Sequence, residues 1–311
     1  MRAKKNSMAQ VVLVTGSNSG FGRRIVHTLA KNGHAVFASI RNMRGKNANA
    51  ARELDLWAQQ ENVNVRVLEL DVTDDDSVIH AVTHMIEHAG RIDVVVNNAG
   101  VACSGVIEAF TIAQAQALFN VNLFGLLRVN KAVLPFMRQQ RSGLLIHISS
   151  IFGRLSMPFS GLYSASKFAV EGLVEAYQHE LRSVGIEAVL IEPGPFPTEH
   201  GAKIVFPEDA HIQHDYGEAI AYKIREQGET FVTLFSGSQS PDPQRVADAV
   251  NALVQMPPGT RPLRTVVDDY SGQYIEAVNA ATEQCQQGYL HKYGLIPVSY
   301  THLTLPTKRI V

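Results

Sequence analysis

Short β-branched runs alternate along this chain with longer stretches in which apolar residues return every three or four positions. The first run, Val11-Val-Leu-Val14, ends in Thr15-Gly-Ser-Asn-Ser-Gly-Phe-Gly22. That pattern predicts a buried strand, a Gly-rich turn and a helix with Ile25, Val26 and Leu29 on its inner side, closed by Asn32-Gly33. A second strand follows over His34–Ile40, ending at Arg41, and then a helix carrying Leu54, Leu56 and Trp57. Val65–Leu70 reads as a third strand with Asp71 at its end, and Asp74 as the cap of a helix running to about His88. Ile92–Val96 is the fourth strand, leading into Asn97-Asn-Ala-Gly100. A long helix around Ala113–Met137 precedes a fifth strand, Leu144–Ile148, which ends at Ser149-Ser150. After the helix that contains Tyr163, Gly185 marks a stop. Ile186–Ile191 gives the sixth strand, with Pro193-Gly-Pro-Phe-Pro-Thr198 beyond it. Residues 199–240 read as irregular with short helices, Pro243–Gln255 as a helix and Thr265–Val267 as a last strand.

Strands alternating with helices in this way imply an α/β protein: a Rossmann-type, doubly wound parallel β-sheet in a three-layer α/β/α arrangement. In such sheets ligands bind beyond the carboxyl ends of the strands, where every polar motif above falls. The expected organisation is an N-terminal extension over 1–8, a single domain over 9–297 with an insertion at about 199–240, and a tail over 298–311. The tail's Val298-Ser-Tyr-Thr-His-Leu-Thr-Leu-Pro-Thr307 reads as an adaptor-encoded, non-native peptide.

Composition narrows the function classes. With 45% hydrophobic residues, 18% charged residues and a formal net charge of −1, the chain can build a core and carries no nucleic-acid footprint. No apolar run reaches the roughly 20 residues of a transmembrane segment, and the basic start lacks the apolar stretch of a signal peptide. Cys103 and Cys285 are the two cysteines, which fits a reducing, cytoplasmic setting better than a disulfide framework.

Four features carry candidate chemistry. Gly16, Gly20 and Gly22 lie between a first strand and a first helix, where a backbone can approach a pyrophosphate and the helix N-terminus favours an anion. Arg41 follows the second strand with no acid at the strand end, which suits a ribose 2′-phosphate; a solvated loop arginine is the alternative. Asp71 is placed to accept from an adenine amino group, or merely to end a strand. Tyr163 and Lys167 are four apart on a helix, one turn from each other, so an ammonium there favours the phenolate of a nearby phenol. His80, His84 and His88 have spacing that could ligate zinc, but with no Cys or carboxylate cluster beside them a solvated face is the better reading, and no metal is expected.

Taken together, Thr15-Gly-x-x-x-Gly-x-Gly22, Asn97-Asn-Ala-Gly100, Asn122, Ser150 and Tyr163-x-x-x-Lys167 resemble the short-chain dehydrogenase/reductase superfamily, in its single-domain branch. The similarity covers roughly residues 9–270. Ala38-Ser-Ile-Arg41 and the segment Pro158–Leu173 look like 17β-hydroxysteroid and retinol dehydrogenase-like members. The resemblance implies an NAD(P)-dependent oxidoreductase that interconverts a carbonyl and an alcohol. Tyr163 would be the general acid/base, and Lys167 would hold the nicotinamide ribose and depress the Tyr163 pKa. Ser150 would hydrogen-bond the substrate oxygen, the side chain of Ser149 pointing to the other face of the strand. Asn122 would anchor a water linking Lys167 to solvent, Asn120 being an ordinary helix residue.

The cofactor is expected at Gly16, Ser17, Ser19, Gly20, Phe21 and Gly22, and at Arg41, Asp71 and Val72. Asn98, Ala99 and Gly100 would line the adenosine ribose, and Pro193, Gly194 and Thr198 the nicotinamide, together with Tyr163 and Lys167. NADP(H) is favoured over NAD(H). Phe206, Tyr216, Phe231 and Phe235, with Leu155, Met157 and Phe159, suggest an apolar pocket for a small apolar carbonyl or alcohol substrate; packing as ordinary core is the alternative. By the same resemblance the chain would form a homodimer or homotetramer through the helices around 113–137 and 163–183. Two other readings stay open: a non-catalytic dinucleotide sensor of the same fold, and an epimerase or dehydratase using the same Tyr-Lys pair.

Overall fold

The computed structural model describes residues 9–198, 204–237 and 240–295. Seven parallel strands form one sheet in the order β3-β2-β1-β4-β5-β6-β7. They are β1 (Val11–Val14), β2 (Ala35–Ile40), β3 (Val65–Glu69), β4 (Val94–Asn97), β5 (Gly143–Ile148), β6 (Ile186–Pro193) and β7 (Arg264–Val267). Chain order reverses between β1 and β4, which makes the crevice beyond their carboxyl ends the natural ligand site of such a sheet.

Because successive strand side chains point to opposite faces, the apolar runs split between two cores. Val12, Val14, Val36, Ala38, Val94, Val96 and Ile146 face α1 (Gly20–Lys31), α2 (Ala48–Gln60) and α9 (Gln244–Gln255). Leu13, Phe37, Val95, Leu145 and Leu190 face α3 (Asp75–Ala89), α5 (Leu126–Gln140) and α6 (Gly161–Arg182). Both faces are covered, so the central strands are largely apolar rather than alternating, whereas the edge strand β3 exposes Arg66 and Glu69. The chain is thus a single-domain, three-layer Rossmann-type fold. A cavity at a fully buried position such as Leu13 costs about 2–5 kcal/mol.

Local capping follows the sequence. Asp74 accepts from Ser77 N at 2.8 Å and caps α3. Thr111 and Gln114 form a reciprocal capping box at the start of α4 (Ile112–Phe119).

Three elements differ from expectation. The single helix expected around 113–137 is α4 and α5 joined by a π-helical turn, Asn120–Gly125. The wider turn brings Asn122 inward and seats Gly125 against Val72, whose Cγ2 would lie 2.8 Å from any Cβ there. The segment read as irregular over 199–240 contains α7 (Ala210–Asp215) and a 20-residue helix, α8 (Gly217–Ser236). Finally, α10 (Gly272–Lys292) follows β7 and was not anticipated at all. The extension at 1–8 and the tail at 298–311 lie outside the described residues. No helix among the described residues is long and apolar enough to cross a membrane.

Candidate active site

The Gly-rich turn is built on a steric demand. Gly16 has φ +69°, and any Cβ on Gly22 would strike the Gly16 carbonyl oxygen and come within 2.6 Å of Asn98 Nδ2. No acid occupies the first turn of α1, so no carboxylate there offsets the positive end of the helix dipole. These features fit a dinucleotide pyrophosphate.

Thr15, quoted in the motif but given no role, turns out to be the clasp. Its Oγ1 accepts from the backbone N–H groups of Asn98 and Ala99, both at 3.0 Å. Asn98 Nδ2 in return donates to the Thr15 and Gly16 carbonyls at 2.8 and 3.2 Å. The Asn98 side chain therefore braces the turn. Ser17 Oγ donates to the Val14 carbonyl at 2.9 Å and is fully buried. Phe21 meets Phe196 edge to face at 5.6 Å, tying the start of α1 to the loop that contains Pro193, Gly194 and Thr198. Gly194 is closed in by Asp268, which leaves no room for a side chain.

At the strand-two side, Arg41 is exposed, and its backbone carbonyl accepts from Asn47 Nδ2 at 2.7 Å. Asp71 Oδ1 accepts from the backbone N–H and hydroxyl of Thr73, at 2.9 and 2.7 Å, so one carboxylate oxygen is already engaged in a local turn. Val72 is buried against the π-helical turn.

Beyond β5 the chemistry-bearing side chains converge. Ser150 caps the short 3₁₀ turn at 151–153, accepting from Phe152 N at 3.2 Å, and its side chain hydrogen-bonds the Tyr163 phenol. Ser149 points to the opposite face, next to Glu171 Cγ and the position a Cβ on Gly153 would take. Lys167, one turn after Tyr163 on α6, is buried; its Nζ donates to the Ile148 carbonyl at 2.8 Å and lies 5.8 Å from the Tyr163 ring centre. The same Nζ comes within 3.8 Å of a Cβ built on Gly100, which links this pair to the end of β4.

Asn122 Oδ1 accepts from Val101 N at 2.8 Å, while its Nδ2 donates to Val101 O at 2.9 Å and Ser166 Oγ at 3.0 Å. That amide clamps the segment after Gly100 to α6, with every polar atom in use. A buried chain continues beneath: Asn97 Nδ2 donates to Asn130 Oδ1 at 2.8 Å, and Asn130 Nδ2 meets His147 Nε2 at 3.0 Å.

Electrostatically the pair departs from the expectation that Lys167 depresses the Tyr163 pKa. Burial pushes the phenol up to about 12, outweighing the downward pull of the Ser150 hydrogen bond. Burial likewise drives Lys167 down to about 8, against the upward influence of the Glu171 carboxylate. Desolvation penalises both charged forms, and it dominates here.

Two neighbours had no signal in the sequence. Phe152 stands edge-on to Tyr163 with ring centres 6.3 Å apart. Cys103 is buried, its thiol pushed up to about 11 by burial while a backbone hydrogen bond with Tyr163 pulls the other way.

Over this floor lies the segment beginning at residue 204. Val205 pairs with Cys103 in a parallel bridge, with Val205 N donating to the Ala102 carbonyl at 2.9 Å. Gln114 Nε2 holds the Phe206 carbonyl at 2.9 Å. The apolar side chains expected to line a pocket divide. Phe206, Tyr216 and Leu155 are exposed, the Tyr216 hydroxyl donating to Glu108 at 2.7 Å. Phe231 and Phe235 stack at 6.0 Å and, like Met157 and Phe159, are half-buried. Helix α8, which carries Phe231 and Phe235, buries none of its residues. Elsewhere, His88 Nδ1 approaches the His84 carbonyl at 2.8 Å, and among the described residues no three His, Cys, Asp or Glu side chains are grouped so as to hold a metal ion.

Known proteins align with this arrangement. A family model described as short chain dehydrogenase matches residues 10–208. The 3-ketodihydrosphingosine reductase of Bacteroides thetaiotaomicron is 40% identical over 190 residues, covering 61% of this chain and 65% of that protein, a little under two thirds of its length. Retinol dehydrogenase 8 of Homo sapiens is 32% identical over 267 residues, 81% of this chain and 79% of that one. Among solved structures, a short-chain dehydrogenase from Streptomyces avermitilis superposes with a TM-score of 0.72 at 28% identity, covering 92% of this chain and 98% of the other. Actinorhodin polyketide ketoreductase with NADPH gives 0.71 at 26% identity, with 86% and 98% covered.

Proposed function

This chain belongs to the short chain dehydrogenase family and is an NAD(P)-dependent oxidoreductase, and from that premise we propose that it uses NADP(H) to interconvert a carbonyl and an alcohol on an apolar substrate, with Tyr163 as general acid/base. The observation that carries this reading is the meeting of the Ser150 side chain with the Tyr163 phenol one helical turn from the buried Lys167. All three stand beyond the carboxyl end of β5, on the side where Gly100 and Asn98 join the Gly-rich turn.

The nicotinamide nucleotide, when bound, supplies or accepts the hydride. Gly16, Gly20, Gly22 and the N-terminus of α1 would hold its pyrophosphate, and Lys167 its ribose. Ser150 orients the substrate oxygen, and Tyr163 gives or takes the proton. A phenol with a pKa near 12 keeps its proton at neutral pH, which is the form needed to protonate a carbonyl oxygen. The rate of oxidation, which needs the phenolate, would rise with pH.

The preference for NADP(H) rests on Arg41, an exposed guanidinium directly after β2 where an acid would instead select a 2′-hydroxyl. The apolar substrate class is supported by the half-buried Met157 and Phe159, which lie a few residues before Tyr163 in the chain, and by the relatives, a 3-ketodihydrosphingosine reductase and a retinol dehydrogenase. Self-association through α4–α5 and α6 belongs to the same proposal, supported by Phe124 and Phe168, which are exposed on those elements. The test is a panel of long-chain ketones, steroids and retinoids followed by loss of NADPH absorbance. Oxidation of NADPH well ahead of NADH by at least one apolar carbonyl is expected. Turnover confined to small polar carbonyls, or equal rates with both nucleotides, contradicts the proposal.

A further inference from the structure

The first acid in the chain is Glu53, so the Gly-rich turn, α1, β2 and the loop after β2 carry cations with no Asp or Glu among them. Arg41, Arg44 and Lys46 fall within six residues of that loop, and all three are exposed. Glu53 is itself committed, pairing with Arg23 of α1 at 3.0 Å. A field of one sign at the end of β2 suits an anion on the adenosine side of a dinucleotide. The loop is also built rather than slack. Asn42 occupies the left-handed region at φ +52°, and its carbonyl accepts from the backbone N–H groups of Gly45 and Asn47, both at 3.2 Å. A Cβ on Gly45 would collide with the Asn42 side chain.

Asn47 is where this loop meets the Gly-rich turn. It stands at the N-cap of α2, where an asparagine ordinarily turns its side chain onto the N–H groups of the first helical turn. Here the side chain makes no such cap. Its Nδ2 instead donates backward to the Arg41 carbonyl at 2.7 Å, and its Oδ1 accepts from Asn18 Nδ2, in the Gly-rich turn, at 3.3 Å. A backbone bond runs alongside, from Ser17 N to the Ser39 carbonyl at 2.9 Å. The amide thus forgoes the cap and spans the two segments that would hold the pyrophosphate and the 2′-phosphate. By fixing the Arg41 peptide it fixes the direction in which that side chain leaves the backbone. The reach from the guanidinium to the turn, which a long exposed side chain would otherwise leave loose, is thereby narrowed.

We propose that Asn47 is a positioning residue for nucleotide selection: its amide ties the Arg41 peptide to the Gly-rich turn, so that the guanidinium is held where a ribose 2′-phosphate arrives. The inference rests on reading Arg41 as the group that selects NADP(H). Its test is binding without turnover, by calorimetric titration of the whole protein with NADPH and with NADH, which differ only in the 2′-phosphate. Wild type should bind NADPH the more tightly. Asn47→Ser keeps a residue able to cap α2 but too short to span the two segments. It should lower the NADPH/NADH affinity ratio by roughly 3–10-fold, with NADH affinity nearly unchanged. Arg41→Ala should remove most of the ratio, and adding Asn47→Ser to it should take away little more, since the two residues act through one contact. An unchanged ratio in folded Asn47→Ser overturns the proposal. So does equal weakening of both nucleotides, the mark of a merely structural role. If Asn47→Ser does not fold, an unchanged ratio in Asn47→Gly, which also suits an N-cap, decides against it. A wild type that binds both nucleotides equally removes instead the reading of Arg41 on which the proposal stands.

Discussion

Two halves of the site are made differently. Beyond β1, β4 and β5, polar side chains are committed to named partners: Thr15 to Asn98 and Ala99, Asn122 to Val101 and Ser166, Lys167 to Ile148. Opposite them, α8 runs for 20 residues without burying one, with Tyr222 and Val232 well exposed. The first half is fixed by the packing of the sheet. The second is held mainly at its base, where Val205 pairs with Cys103 and Gln114 grips Phe206. In the proposed reading, the residues assigned to nucleotide and proton are specified by the packing of the sheet, while the surface that would meet substrate is left free to vary.

Substitutions can break or sharpen that contrast. The largest effect among these is expected at Gly22. An alanine methyl there meets backbone, the Gly16 carbonyl, which cannot swing aside. Gly22→Ala should destabilise the protein by about 1–3 kcal/mol and lower nucleotide affinity by roughly 10²-fold, since the turn must move. Calorimetric titration with NADPH reads this, and unchanged affinity would show the turn to be softer than its geometry implies.

Lys167→Met should inactivate yet stabilise. The lysine's folded-state pKa, about 8 against an ordinary 10.5, means that the buried ammonium opposes folding below pH 8. Between about 8 and 10.5 the unfolded chain binds the extra proton, so wild-type stability rises with pH and the penalty fades. Met, of similar length and without charge, removes that penalty, for a gain on the order of 1–3 kcal/mol at pH 7. Urea unfolding at pH 7 and at pH 10 checks the sign: the variant's advantage should be present at the first and reduced at the second.

The smallest effect belongs to the exposed half. Phe231→Ser on α8 should leave the melting temperature within a degree or two, because the ring is only half-buried. It should raise KM for an apolar carbonyl several-fold with kcat nearly kept. A large loss of stability would mean that α8 is part of the core after all.

Much of this was legible in the residues, and the remainder was hidden for physical reasons. The central strands β1, β2, β4 and β5 announced themselves because both faces of the sheet are covered there, which makes them largely apolar runs, while the edge strands β3 and β7 carry Arg66, Glu69 and Arg264 and were read from their Val residues and spacing. The turn at Gly16–Gly22 was plain because its glycines answer a steric need. The 20-residue length of α8, in a segment read as holding short helices, and the whole of α10 were not anticipated because periodicity reports burial. The first buries nothing, and the second buries only Gly272 and Ile275. The π-helical turn at Asn120–Gly125 has no compositional mark, yet it turns Asn122 inward. The sign of the Tyr163 shift was misjudged because spacing shows that an ammonium is near, not how much water both groups have lost. A buried cluster of Glu171, Arg264 and Glu192 joins α6, β7 and β6, which only the strand order brings together.

The central claim is that the hydroxyl of Tyr163 carries the proton. It is tested most directly by replacing that oxygen alone and measuring two quantities on the same Tyr163→Phe preparation: nucleotide affinity and the rate of carbonyl reduction. The account predicts NADPH affinity within a few-fold of wild type and a rate lower by about 10²–10⁴-fold. A rate near that of wild type, with the nucleotide bound normally, would contradict it.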